Sequence, residues 1–133
     1  MYHDSDWLKI DPPFPAWYDY SIQIEAKRSA SLYHRELLNQ IYESRLPKEI
    51  QLAHNYQTWR FNIRVKNKPQ ILGAIFNAGL FASSHYASMA GIMTDDSAPR
   101  AELLADEVIN LFNDEHFDGE KAQKVCDVIL RNL

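Results

Sequence analysis

Apolar residues along the chain fall into two spacings, one near three to four and one of two. From about Tyr20 to Leu46, Ala26, Ala30, Tyr33, Leu37 and Ile41 recur every three or four positions, so the spacing predicts a helix with these residues on one face. Pro47 stops it. Residues 57–65 instead alternate, with Trp59, Phe61, Ile63 and Val65 on one side and Arg60, Asn62 and Arg64 on the other, the mark of a half-buried strand. Asn67 is placed to cap the next helix, Pro69 suits its first turn, and Ile71, Leu72, Ile75 and Phe76 form its apolar face. Gly79 supplies the left-handed residue that ends it. Leu80 to Tyr86 reads as a second, short strand.

After a loop over residues 87–97, Ser97 and Pro99 open a helix with Ala101, Leu104 and Val108 as its apolar positions. The run Val108–Phe112 is expected to form a third strand directly after it. Asp118 caps a last helix with Ala122, Val125, Ile129 and Leu133 turned inward and Cys126 beside them. The order is helix, strand, helix, strand, helix, strand, helix. The fold class is therefore α+β: a small, mostly antiparallel sheet with helices packed on one face, preceded by a long helix. Residues 1–21 are expected to be an irregular N-terminal arm, because Asp11-Pro12-Pro13-Phe14-Pro15 cannot be helical, and residues 22–133 a single domain.

Composition narrows the function. At 133 residues the chain is one domain's length and can bury a core without disulfides. A net charge of −4 argues against a nucleic-acid partner. No apolar run approaches the roughly 20 residues of a membrane helix, and with a single cysteine, Cys126, a cytoplasmic location is the expectation. With four glycines, neither G-x-G-x-x-G nor G-x-x-x-x-G-K can be written.

Candidate chemistry is sparse. His3, His34, His54, His85 and His116 have no metal-ligand spacing, so no metal site is expected. Cys126 reads as a small hydrophobe. Asp95-Asp96 and Asp114-Glu115 read as solvated loop charges. Two features stand out. Arg60 and Arg64 share a strand face, and guanidinium forks suit carboxylates and phosphates, although a solvated sheet face is the plainer reading. Ser83-Ser84-His85-Tyr86 gathers hydroxyls, an imidazole and a phenol where a strand runs into a loop.

The stretch Leu32–Leu38, then Trp59-Arg60-Phe61 to Val65, then Ala78-Gly79-Leu80, then Ser84-His85-Tyr86, and finally Ala101–Leu111, resembles in order and spacing the C-terminal part of the DegT/StrS aminotransferases. These are PLP-dependent sugar aminotransferases of fold type I. The resemblance covers residues 30–133. Ala87 stands where the family often has proline after its His-Tyr pair, and Leu111-Phe112 where it often has Leu-Pro.

The resemblance implies an enzyme that moves an amino group, expected from glutamate, to a nucleotide-linked keto sugar. In the family the Schiff-base lysine lies in a Ser-Phe-x-x-x-Lys stretch of the large domain, and no Ser-Phe pair occurs here. The chain alone is thus expected to be a truncated, inactive part without a catalytic residue. PLP belongs to the intact enzyme and none is expected on this chain. Its expected partners are a large domain or second subunit, as in a homodimer, and a sugar nucleotide. By position in the motif, Ser84, His85 and Tyr86 are the implied substrate-binding residues, and Arg60 is a further candidate contact. The alternative is a freestanding α+β binding or interaction module without catalysis.

Overall fold

The computed structural model describes residues 16–85, 87, 88, 92 and 97–133. The chain divides into two compact units, residues 1–30 and 31–133. Among the described residues four helices and three strands follow in the expected order: α1 (Trp17–Arg45), β1 (Phe61–Arg64), α2 (Lys68–Asn77), β2 (Ala82–Ser83), α3 (Pro99–Glu107), β3 (Val108–Leu111) and α4 (Gly119–Asn132). Short 3-10 turns at Lys48–Ile50 and His54–Tyr56 join α1 to β1.

In the first unit the described residues belong to α1, which begins at Trp17, three residues before the expected Tyr20. Ser21 Oγ donates to the Tyr18 carbonyl at 2.7 Å, and Arg28 pairs with Glu25 one turn back at 3.5 Å. Such exposed local ties contribute a few tenths of a kcal/mol each, on the order of a helix-surface pair.

The second unit is built on an antiparallel sheet of order β1-β3-β2. The alternation read in β1 is real: Phe61, Ile63 and Val65 are buried, and Asn62 and Arg64 face the other way. Register sets Phe61 opposite Leu111, and Leu111 opposite Ala82, with Ile63 opposite Ile109. All five side chains are fully buried. They form the floor on which α2, α4 and the second half of α1 pack, through Ile71, Ile75, Ala122, Val125, Cys126, Ile129, Leu38 and Tyr42. Burying each large aliphatic or aromatic side chain there contributes about 1.5–3 kcal/mol.

The elements end for identifiable reasons. Gly79 adopts φ 70°, so the residue after α2 turns left-handed as glycine permits. Asp118 caps α4 by accepting from the Lys121 N–H at 2.8 Å, which holds its carboxyl below the usual range. Asn67 precedes α2 but makes no cap bond with its side chain; its amide donates instead to the Asn132 carbonyl at 2.6 Å, tying α2 to the end of α4.

Several expectations need correction. The buried face of α1 in the second unit is Leu38 and Tyr42, with His34 and Ile41 partly covered, whereas Tyr33 is 66% and Leu37 42% exposed. The face is rotated by one residue because Tyr42 can be buried: its hydroxyl donates to the Phe112 carbonyl at 2.7 Å, and its ring lies 5.1 Å from Phe61. Burial raises the Tyr42 phenol well above its ordinary pKa. β1 begins at Phe61 rather than residue 57, and Trp59 is 47% exposed rather than inward. β2 holds Ala82 and Ser83, and of the described residues in the expected Leu80–Tyr86, Leu80, Phe81, Ser84 and His85 lie outside it. In α3, Ala101 and Leu104 are exposed, and at the C-terminus so is Leu133. Cys126 is fully buried, and burial pushes its thiol up to about 12, consistent with a small hydrophobe.

Candidate functional site

The face of the sheet turned away from the α2 and α4 core is polar. Asn62, Asn110 and Ser83 stand in one row across β1, β3 and β2, because register sets Asn62 opposite Asn110 and Asn110 opposite Ser83. Asn110 Nδ2 donates to Asn62 Oδ1 at 2.7 Å. Ser83 and Asn110 are buried, at 8% and 6% exposure, so the row is covered as well as polar. α3 flanks it: the Lys68 ammonium donates to the Ala105 carbonyl, and Arg64 pairs with Glu107 at 2.5 Å. Between α3 and the sheet lies a cleft of ≈ 480 Å³. Its wall is apolar at Leu104 and Val108, and its polar side is made by Tyr56, Asn62, His85 and Asn110. A volume of this size suits a small ligand with a few convergent polar groups.

The four residues singled out from sequence are placed as follows. His85 lines the cleft; its backbone N–H donates to Asn110 Oδ1 at 2.8 Å and its ring lies 6.0 Å from Trp59. Ser84 is exposed at the end of β2. Tyr86 lies outside the described residues, as do Asp95 and Asp96. Arg60 stands just before β1, as Phe112 stands just after β3. Its guanidinium carbon lies 4.1 Å from the Phe112 ring centroid and 4.9 Å from that of Trp59. Trp59 is thus the side chain that links Arg60 to His85.

Arg60 is not on a solvated face. Its side chain is 12% exposed and it pairs with Asp114 at 2.9 Å, and its Nε is buried without a hydrogen-bond partner. Asp114, read as a loop charge, is the counter-ion of this group. The turn that carries Asp114 is held to α1 by His34, whose Nε2 lies 3.0 Å from the Asp114 carbonyl oxygen and 2.8 Å from that of Phe117. Facing two acceptors, that nitrogen carries the proton. His34 is thereby a satisfied structural residue.

Asn62, Asn110 and Gln57 were missed in the sequence. Asn110 carried a usable signal, an amide within the apolar run Val108–Phe112, where asparagine is unfavourable unless its amide is bonded. Among the described residues no three His, Cys, Asp or Glu side chains gather as metal ligands. None of the described cleft residues is a lysine, so the cleft itself does not fit PLP, which needs an amine for its aldehyde and donors for its phosphate. A second groove of ≈ 540 Å³ runs along α1 past Leu37 and Ile41 to Gly119. It lies apart from His85 and Arg60, and the one imidazole on it, His34, is committed to the turn. No described helix is long and apolar enough to cross a membrane.

No protein-family model matches the chain, and no curated protein matches it. Among solved structures, the fold is similar to that of S. venezuelae DesV, a crystal structure in complex with a ketimine intermediate, with a TM-score of 0.67 at 18% identity. The match covers 80% of this chain and 33% of DesV, so the chain spans about a third of the length of the protein whose fold it shares in part.

Proposed function

We propose that the chain is the C-terminal small domain of a PLP-dependent aminotransferase of the DegT/StrS kind. In the intact enzyme an amino group passes from glutamate to a nucleotide-linked keto sugar. The observation that carries this reading is the shared fold with DesV over four-fifths of the chain, where DesV was captured with a ketimine. The motif resemblance over residues 30–133 supports the same reading. The part of DesV without a counterpart here leaves room for a lysine-bearing large domain, on the same polypeptide or a second subunit. The electron-sink chemistry of PLP belongs to that domain.

The role left to this chain is to close one side of the substrate cleft. Ser84, His85 and Tyr86 contact the sugar nucleotide or the acidic donor, and Arg60, whose guanidinium lies over the Trp59 and Phe112 rings, is a further contact. Pyrophosphate and carboxylate are the groups such a guanidinium recognises. Asp114 neutralises Arg60 until an anionic group approaches.

The reading is tested on the full reading frame that contains these residues. A Ser-Phe-x-x-x-Lys stretch and lysine-dependent aldimine absorption on adding PLP are expected, together with amino transfer from glutamate. His85→Ala combined with Tyr86→Ala should raise KM for the sugar nucleotide or for glutamate at least tenfold. A frame without that stretch would contradict the proposal and favour a freestanding binding module. Unaltered kinetics in the double variant would remove these residues from the site.

A further inference from the structure

We infer that Asn110 and Asn62 are positioning residues: their side-chain amides set the His85 main chain at the edge of the cleft and lock it to the segment that carries Trp59 and Arg60. The inference rests on the reading of His85 as a ligand contact. It adds the device that aims it.

The starting point is where β2 stops. Its ladder with β3 holds only Ala82 opposite Leu111 and Ser83 opposite Asn110. Two residues on, His85 N–H donates to a side chain, Asn110 Oδ1, at 2.8 Å. A side-chain acceptor on the polar face draws the chain off the ladder toward that face, where the His85 ring meets Trp59. A backbone acceptor would have kept residue 85 in the strand direction.

The rest follows from donor and acceptor accounting. A backbone N–H needs an oxygen, so Asn110 presents Oδ1 to His85 and Nδ2 to Asn62. Asn62 must answer with Oδ1, which it does at 2.7 Å. That turns Asn62 Nδ2 toward two carbonyls, those of Tyr56 and of Arg60, the latter at 3.1 Å. The Asn62 N–H donates to Gln57 Oε1 at 2.5 Å, and Gln57 Nε2 donates to the carbonyls of Leu52 at 2.8 Å and Asn62 at 3.2 Å. Rotating any one amide by half a turn would set donor against donor or acceptor against acceptor along the line, so the amides hold one another in a single orientation. The line runs from Gln57 through the residues beside Trp59 and Arg60 to His85. Asn110 and Gln57 are 6% and 3% exposed and their amides are engaged internally. They orient the site and leave binding to the more exposed His85.

The test is amide hydrogen exchange by NMR on the 133-residue chain, in the wild type, Asn110→Ala and Asn110→Asp at pH 7. Losing one net hydrogen bond corresponds to about fivefold to tenfold in local opening. Asn110→Ala is expected to speed exchange at His85 by about that factor and to shift the Trp59 indole resonance, while Ile129 in α4 keeps its rate. Asn110→Asp keeps an acceptor for His85, so His85 protection should return while the Asn62 link is lost. Unchanged His85 exchange in Asn110→Ala, or an Asp variant no better than the Ala variant, would overturn the inference. If Asn110→Ala does not fold, Asn62→Ala carries the test: it must shift both the Trp59 and His85 resonances, and a variant that shifts neither overturns the inference. Titration with UDP-glucose and with L-glutamate separates the two ideas. Loosened His85 exchange with no response of His85 to either probe retains the positioning role and removes the binding role. A response with unchanged exchange does the reverse.

Discussion

The two faces of the sheet use the same three strands for opposite purposes. On one, Phe61, Leu111 and Ala82 line up across the strands, all fully buried, and α2, α4 and Tyr42 close over them. On the other, shifted by one residue, Asn62, Asn110 and Ser83 line up, and the two asparagines border a cleft. The first face holds the unit together by non-directional burial, so any side chain of similar shape serves there. The second is directional: each amide has its oxygen and nitrogen assigned by its neighbours, and a substitution of equal size loses whichever bond its atoms cannot make. The first face should therefore govern global stability, and the second should govern local geometry at His85.

The sharpest way to break the comparison is in the core. Phe61→Ala removes a ring with no exposed surface and should cost about 3–5 kcal/mol in a urea melt. A loss under about 1 kcal/mol would mean that the apolar face is not the foundation of the unit.

Next comes the charge at the sheet's end. Asp114→Ala leaves Arg60 half-sandwiched and without its carboxylate, and should cost about 1–3 kcal/mol. Adding Arg60→Leu in the same chain should recover most of that loss, because the penalty is an unpaired buried cation rather than a missing attraction. A double variant no more stable than the single one would contradict this.

A third effect is alkaline. The Cys126 thiol has a folded pKa raised from 9.0 to about 12 by burial, so the neutral form is favoured in the fold. Its contribution is complete below the unfolded value and is lost as pH rises from about 9 toward 12. The melting temperature should fall across that window and fall less steeply in Cys126→Ala. Equal slopes would show that the thiol is not the titrating group.

The smallest effect is acidic. Asp118 is lowered chiefly by its bond from the Lys121 N–H, so its contribution is present above its unfolded pKa, 3.8, and fades as pH drops through the lower folded value. Asp118→Asn, which keeps a capping oxygen, should flatten the acid limb of the stability profile slightly and leave pH 7 stability nearly unchanged. A large loss at pH 7 would show that charge, not the cap bond, is what matters there.

How legible each part was in the sequence follows from which forces built it. α4 could be read because Ala122, Val125 and Ile129 repeat at helical spacing behind an aspartate cap, and all are buried. β1 could be read from its alternation, and the end of α2 from Gly79. The face of α1 was misplaced by one residue because a tyrosine with a carbonyl partner and a histidine with two are worth burying, and periodicity weighs only apolar side chains. The Arg60–Asp114 pair lay hidden because 54 residues separate its members, and only the β1–β3 register brings them together. The amide line was hidden for the same reason, with Asn62 and Asn110 meeting only across paired strands. His85 was singled out by its company of polar residues at a strand end, whereas Asn110, which bonds its main chain, and Asn62, which bonds Asn110, were not.

The measurement that tests the central claim most directly is a ¹⁵N NMR titration of the chain with UDP-glucose and with L-glutamate. The account predicts shifts confined to the polar face, at His85, the Trp59 indole, Asn110 and the Arg60 side chain, with α4 silent. Shifts gathered instead along Leu37 and Ile41 of α1, or no shifts with either compound, would contradict the assignment of this face to substrate.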